Sequence, residues 1–356
     1  MPLRLALLGL LLAAPAAHAQ TATLVGQVVD TAGEPLPGAN VYLSGTTRGT
    51  ATDGEGRFRI PAVELGAHRL VASILGFTTG TEDIRLTEPG EAGPFTFRLR
   101  EATLELGAVE VTARASPAHR ARVRRFRDAV LGETANARDV AIENPSVIAF
   151  SEGGGTLRAD AAAPLVVTNR ALGYRLRFDL AAFQARDGRV RYAGEERFEA
   201  LAPADAAQAA RWREARARAY RGSLRHLLQA LAAGRALADG FAFHLVPDDT
   251  DARGRPLASR AVHPTEVFRP APYPRGWFEL WTDGRLEVTY TGELDPRDAG
   301  EARQVSELRA RGGRALVDAR GALAPDASLG VTGWLAGERL ADLVPLGYRP
   351  PERRAR

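Results

Sequence analysis

The sequence predicts a multi-domain chain, a small all-β sandwich followed by an α+β domain, on three observations. Its 356 residues, 45% hydrophobic and 25% charged, have ordinary globular composition and enough length for roughly two cores. Apolar residues alternate with polar ones through the first part, whereas a helical period appears only in the second. Charge divides at the same place. Residues 20–113 carry 12 acidic side chains against 7 arginines, and residues 114–356 carry 31 against 39.

Residues 1–19 read as a signal peptide. Arg4 supplies the positive start, residues 5–14 are apolar but too short to cross a bilayer, and Ala17-His18-Ala19 places the cut before Gln20. No later stretch is long and apolar enough for a membrane helix, so the expectation is an exported protein of the periplasm or cell surface. The chain has no cysteine, which excludes disulfides, thiolate metal sites, thiol catalysis and an N-terminal lipid anchor on cysteine. The sequence pI of 9.8 invites a nucleic-acid partner. Its densest basic run, Arg120 to Arg127, lacks an aromatic stacking platform and reads as a solvated helix face; no nucleic-acid partner is expected.

Strand candidates at 24–29, 39–43, 56–60, 68–73, 83–86 and 95–99 alternate in polarity, with Gly, Pro, Asn and Asp between them. Within this stretch run Gly26-x-Val28-x-Asp30, Gly33-x-Pro35-Leu36-Pro37-Gly38-Ala39-Asn40-Val41, Gly45-Thr46, Gly49-Thr50, Thr52-Asp53, Gly56, Phe58 and Leu75-Gly76-Phe77. This pattern resembles the carboxypeptidase regulatory-like domain, a transthyretin-like Greek-key sandwich. The resemblance implies a non-catalytic folding aid, spacer or adhesion module over residues 20–106.

The residues themselves argue against a zinc peptidase. A His-x-x-Glu pair exists at His263 and Glu266, in a proline-rich setting that reads as an irregular loop, but no histidine follows it to complete three ligands. No metal and no cofactor are expected. Gly153-Gly154-Gly155 lacks the lysine of a phosphate loop and reads as a turn. Glu195 and Glu196 are adjacent on a predicted strand, so they should face opposite ways and not share a substrate.

Residues 107–119 read as a linker. Residues 104–113 resemble the segment that joins this same sandwich to the plug of TonB-dependent receptors. A receptor barrel of 22 strands needs about 220 residues for strands alone, and only 243 follow Ala113, part of them helical. A receptor is not expected on that count.

Residues 120–350 read as one α+β domain, with a tail at 351–356. A helix over 120–131 ends at Gly132, and strands follow at 139–142, 147–150, 156–158, 165–168, 174–179 and 189–193. A helical tract over 203–233 bends at Gly222, and strands at 241–246, 277–281 and 285–291 complete the sheet. Phe126, Leu131-Gly132, Asn136-Ala137, Asn144-Pro145, Leu172-Gly173-Tyr174, Trp212, Arg216, Tyr220, Gly222-Ser223 and His226-Leu227 resemble a C-terminal module of Bacteroidota envelope proteins that follow the same sandwich. Asp139 departs from that pattern, where a small residue or cysteine is expected. The resemblance implies an envelope setting and no particular chemistry.

One cluster stands out. Trp212, Arg216 and Tyr220 are spaced four apart and share a helix face, with His226 beyond the bend. They form either a stacked recognition surface or core anchors, Arg216 then lying beside Glu195 or Glu196. The expected function is a non-catalytic envelope binding or assembly protein, with an envelope protein or polysaccharide as partner. The alternative is a hydrolase of envelope polymers whose carboxylates only the fold brings together.

Overall fold

The computed structural model describes residues 21–102, 116–248, 258–273, 275–282, 284–292, 304–324 and 327–351. The expected signal peptide at 1–19, segment 104–113 and the last residues of the expected tail lie outside these. Among the described residues no helix is long and apolar enough to cross a membrane.

Alternating residues make the sandwich. Its strands are β1 (Thr21–Asp30), β2 (Asn40–Leu43), β3 (Gly49–Ala51), β4 (Arg57–Glu64), β5 (Gly66–Ser73), β6 (Gly80–Leu86) and β7 (Gly90–Leu99). One sheet runs β4-β1-β7 and the other β3-β2-β5-β6, with β1 and β7 parallel. In β4, Phe58 and Ile60 turn inward while Arg57 and Arg59 face water, the period-two signature of a half-buried strand. Leu24, Val41, Leu70 and Leu99 close the core between the sheets.

The second part opens with α1 (Pro117–Leu131), capped by Ser116 and ended at Gly132. It covers a sheet of β8 (Val140–Ile142), β9 (Ile148–Gly153), β10 (Thr156–Ala161), β11 (Leu165–Asn169), β12 (Tyr174–Arg186) and β13 (Arg189–Ala200). Phe126 and Val130 of the helix meet Leu157, Leu165, Leu176 and Phe198 of the strands in one core. The triple glycine is the β9–β10 turn, with φ of 58° at Gly154 and 74° at Gly155.

The helical tract breaks where its sequence says it should. α2 (Ala206–Tyr220) ends, Gly222 takes φ of 73°, and Ser223 caps α3 (Leu224–Ala232). That break passes the chain from one core to another. Ala215 and Tyr220 belong to the α1 core, whereas Leu227, Leu228 and Leu231 belong to a separate one.

Here the sequence reading needs correction. Strands β14 (Phe241–Val246), β17 (Phe278–Trp281) and β18 (Arg285–Tyr290) do not complete the first sheet. They pair with β15 (Arg260–Ala261), β16 (Phe268–Pro270), β19 (Gln304–Ala310), β20 (Arg314–Val317) and β21 (Leu329–Gly333) in sheets ordered β15-β14-β18-β19-β21 and β16-β17-β20. Alternation reveals which face of a strand is buried but not which strand lies beside it. The chain then returns, and Leu340, Ala341 and Val344 pack into the α1 core. The order remains sandwich first, α+β after.

Candidate functional site

The sandwich is fastened to the second part by a turn near the end of the chain. Asp318 is 1% exposed, and its Oδ1 accepts from the backbone N–H of Arg320 and Ala322, which shapes the turn. Its Oδ2 reaches across to accept from Ala67 N–H at 3.0 Å while pairing with Arg320 Nη2 at 2.6 Å. Arg320 Nη2 also donates to the Ala67 carbonyl at 2.7 Å. Only glycine fits beneath this clamp. Gly66 has φ of +133°, and a Cβ there would lie 2.4 Å from Asp318 Oδ2.

A second fastening uses the β2–β3 turn. Gly45 N–H donates to the Glu196 carbonyl at 2.7 Å, Phe198 N–H to the Thr46 carbonyl at 2.9 Å, and Leu346 N–H to the Gly45 carbonyl at 2.7 Å. The turn thereby satisfies backbone groups on the free edge of β13. Tyr42 donates its hydroxyl to Asp179 Oδ2 at 2.5 Å, and burial followed by the Asp179 charge raises the phenol's pKa well above its ordinary value.

Between these fastenings lies a cavity of about 390 Å³. Sandwich residues 44, 45 and 67–69 form one wall, α3 another, and the returning segment 338–346 a third. Glu196, Glu338, Asp342 and Arg225 all line it. Protein surrounds the Glu196 and Glu338 carboxyls, and burial pushes them up to about 7 and about 8, Arg225 opposing the shift in both. Burial raises Asp342 too, against donation from Asn136 and Thr134.

Glu195 and Glu196 were expected on opposite faces, yet both border this cavity. A bulge between Leu180 and Ala182 shifts the β12–β13 register beside them, and bulges bend and twist a strand. Glu195 is held by Arg69 at 3.0 Å.

The raised carboxyls make a pH prediction. A carboxyl whose folded pKa exceeds its unfolded value of 4.5 destabilises the fold increasingly as pH rises through the folded pKa. The melting temperature is therefore expected to fall from about pH 5 to about pH 9, and Glu338→Gln to flatten the decline. Parallel melting curves of the two proteins across that range would contradict it.

The cavity shares Ala219, Glu338 and Asp342 with a neighbouring groove of about 600 Å³. Thr134, Asn136, Arg218, Arg221 and Arg339 line this groove, and Trp334 stands at it 53% exposed. Through Ala135, Asn136 and Arg218 it continues into a further 450 Å³ along α2, bordered by Arg170, Gln208, Arg211 and Trp212. The two outer hollows make a trough that adjoins the inner cavity through the shared lining residues Ala219, Glu338 and Asp342.

Of the four residues singled out in the sequence only Trp212 borders this trough; Trp212, Tyr220 and His226 are buried and Arg216 is half-buried. Trp212 is 7% exposed and donates Nε1–H to the Arg170 carbonyl at 2.7 Å. Arg216 corrects one expectation: it meets neither Glu195 nor Glu196. Its Nε donates to the Leu172 carbonyl at 2.6 Å and its Nη2 to the Gly173 carbonyl at 3.0 Å, with the guanidinium 4.0 Å above the Tyr174 ring. Tyr220 donates to Gln229 Oε1 at 2.6 Å. His226 Nδ1 accepts from Gly222 N–H at 3.1 Å and packs against the rings of Tyr220, Phe241 and Tyr290. Burial lowers the His226 pKa, and Asp239, 3.6 Å away, opposes this.

His263 and Glu266 are not in an irregular loop. They form the capping box of a short helical turn, α4 (Pro264–Val267), in which Glu266 accepts from His263 N–H at 2.8 Å and pairs with Arg260 at 2.9 Å. Among the described residues no three His, Asp or Glu side chains converge to hold a metal. Sequence reasoning missed Arg225, Trp334, Glu338 and Asp342. Of these only Trp334, an aromatic residue between Gly333 and Gly337, carried a signal.

The sandwich and the trough it walls define a β-sandwich module docked on a larger polar-grooved body. The module is a CarboxypepD_reg-like domain, whose family model matches residues 24–111. The chain is 46% identical over 61 residues to the TonB-dependent receptor SusC of Bacteroides thetaiotaomicron, a stretch covering 17% of this chain and 6% of that receptor. A putative carbohydrate binding protein from Bacteroides uniformis aligns over 51% of this chain and all of its own, at 11% identity and TM-score 0.20. A cohesin–X-dockerin complex from Acetivibrio cellulolyticus aligns over 25% of this chain and 64% of its own, at 20% identity and TM-score 0.21. Structural likenesses that slight decide nothing about fold or function.

Proposed function

We infer that this is an exported, non-catalytic envelope protein whose second part binds an extended polymer, a polysaccharide, with the sandwich as a docked wall. The trough beside α2 carries this reading. It offers an exposed indole for stacking on a sugar ring and several guanidinium and amide donors for hydroxyls and carboxylates. The 61-residue likeness to a TonB-dependent receptor supports the envelope setting. The proposed boundaries follow the sequence except that the body starts with α1: signal 1–19, sandwich 20–106, linker 107–116, α+β body 117–350 and tail 351–356.

Affinity electrophoresis in gels containing polygalacturonate, alginate or dextran tests it. Retardation is expected with dextran as well as with the anionic polymers, because the trough sets Arg170, Arg211, Arg218, Arg221 and Arg339 against Glu133, Asp139, Glu214, Glu338 and Asp342. Trp334→Ala should weaken it about tenfold or more while leaving the melting temperature unchanged. Mobility unaffected by all three polymers would remove polysaccharide as the partner.

A second reading has one observation in its favour. Glu196 and Glu338 line one chamber adjoining the trough, and their raised pKa values keep protons available near neutrality, as a general acid requires. Release of new reducing ends from the same polymers, lost in Glu338→Gln, would establish the hydrolase instead.

A further inference from the structure

The inner cavity has a surplus of acceptors. Asp318 is neutralised by Arg320 and Glu195 by Arg69, which leaves Glu196 and Glu338 sharing the guanidinium of Arg225 and Asp342 accepting from Thr134 and Asn136, both on Oδ1. Arg225 already commits Nη1 to the Val344 carbonyl at 3.0 Å. Two polar atoms on buried lining residues have no hydrogen-bond partner: Asp342 Oδ2, on a residue 8% exposed, and His68 Nδ1, on a residue 4% exposed. His68 Nε2 sits 2.7 Å from the Glu64 carbonyl and 3.2 Å from Arg320 Nη1, the first contact calling for a proton on that nitrogen and the second for a lone pair. Its Nδ1 has no partner in either tautomer. Unpartnered buried acceptors cost free energy until a donor reaches them.

The missing donor has a recognisable chemistry. A metal ion needs several converging ligands, and the described residues offer no such group. Leu224, Leu228, Leu335 and Leu343 line the same cavity and suit an alkyl body. We propose that this cavity binds an organic cation, an ammonium or guanidinium head on a short apolar chain, with the head on Asp342 and Glu338. The site does not rest on the polymer reading of the outer trough, and polymer binding is scored separately.

Titration calorimetry on the full-length chain, with n-pentylammonium, n-butylguanidinium and neutral 1-pentanol as probes, tests the proposal. The two cations should bind with Kd of about 1 mM or tighter, and 1-pentanol about tenfold more weakly or worse. Glu338→Gln and Asp342→Asn keep the side-chain shape and should each weaken cation binding about tenfold, with circular dichroism confirming the fold. Binding of 1-pentanol as tight as the cations would overturn the assignment. So would no binding of either cation, or cation binding unchanged in the folded Glu338→Gln, Asp342→Asn double variant.

Discussion

Asp318→Ala is expected to destabilise the full chain by about 3–5 kcal/mol, measured as a lower midpoint in urea denaturation. The carboxylate accepts from Ala67 N–H, Arg320 N–H, Ala322 N–H and the Arg320 guanidinium, so its loss orphans groups on both sides of the interface. Arg320, with its side chain only 16% exposed, would keep a charge without its strongest partner. The partially matched Asp318→Asn should recover some of the loss, because one acceptor oxygen remains. Cleavage at a protease site engineered within residues 107–116 gives a second reading. The sandwich should stay associated with the body in the wild-type chain and separate in Asp318→Ala. A stability loss below about 1 kcal/mol would mean that the turn merely touches the sandwich.

That interface marks the limit of what the sequence could disclose. Within the sandwich, every predicted strand lies on an observed one, because alternation and turn residues are local signals. Gly132 and Gly222 ended and bent their helices as expected, for the same reason. Pairing is not local. β14, β17 and β18 carry the right residues at the right places, but their assignment to a separate core depends on partners such as β19 and β20. The site is less local still. Glu196 on β13, Arg225 on α3 and Glu338 near the end of the chain share a cavity only because the final segment returns to the α1 core. No spacing in the sequence encodes that return. The charge of Asp318 likewise looks like one more surface carboxylate until Gly66 is seen to make room for it.

Trp212→Ala is expected to cost about 3–5 kcal/mol of stability, the range for removing a buried indole. The ring is 7% exposed and lies against Gly173, where a Cβ would fall 2.3 Å from it, so no neighbouring side chain is placed to fill the space it leaves. Its Nε1–H also holds the Arg170 carbonyl, which would be left without this donor. Arg216 beside it fixes the Leu172 and Gly173 carbonyls, so the helix and the β11–β12 turn are tied at three points and should loosen together. Trp334→Ala provides the contrast, since that indole is half exposed and should affect binding with the fold intact. Trp212 borders the trough as well, so both properties must be measured on each variant. A Trp212→Ala protein that melts with the wild type but no longer binds polymer would show that Trp212 is a recognition residue and that the packing described above does little to hold α2 in place.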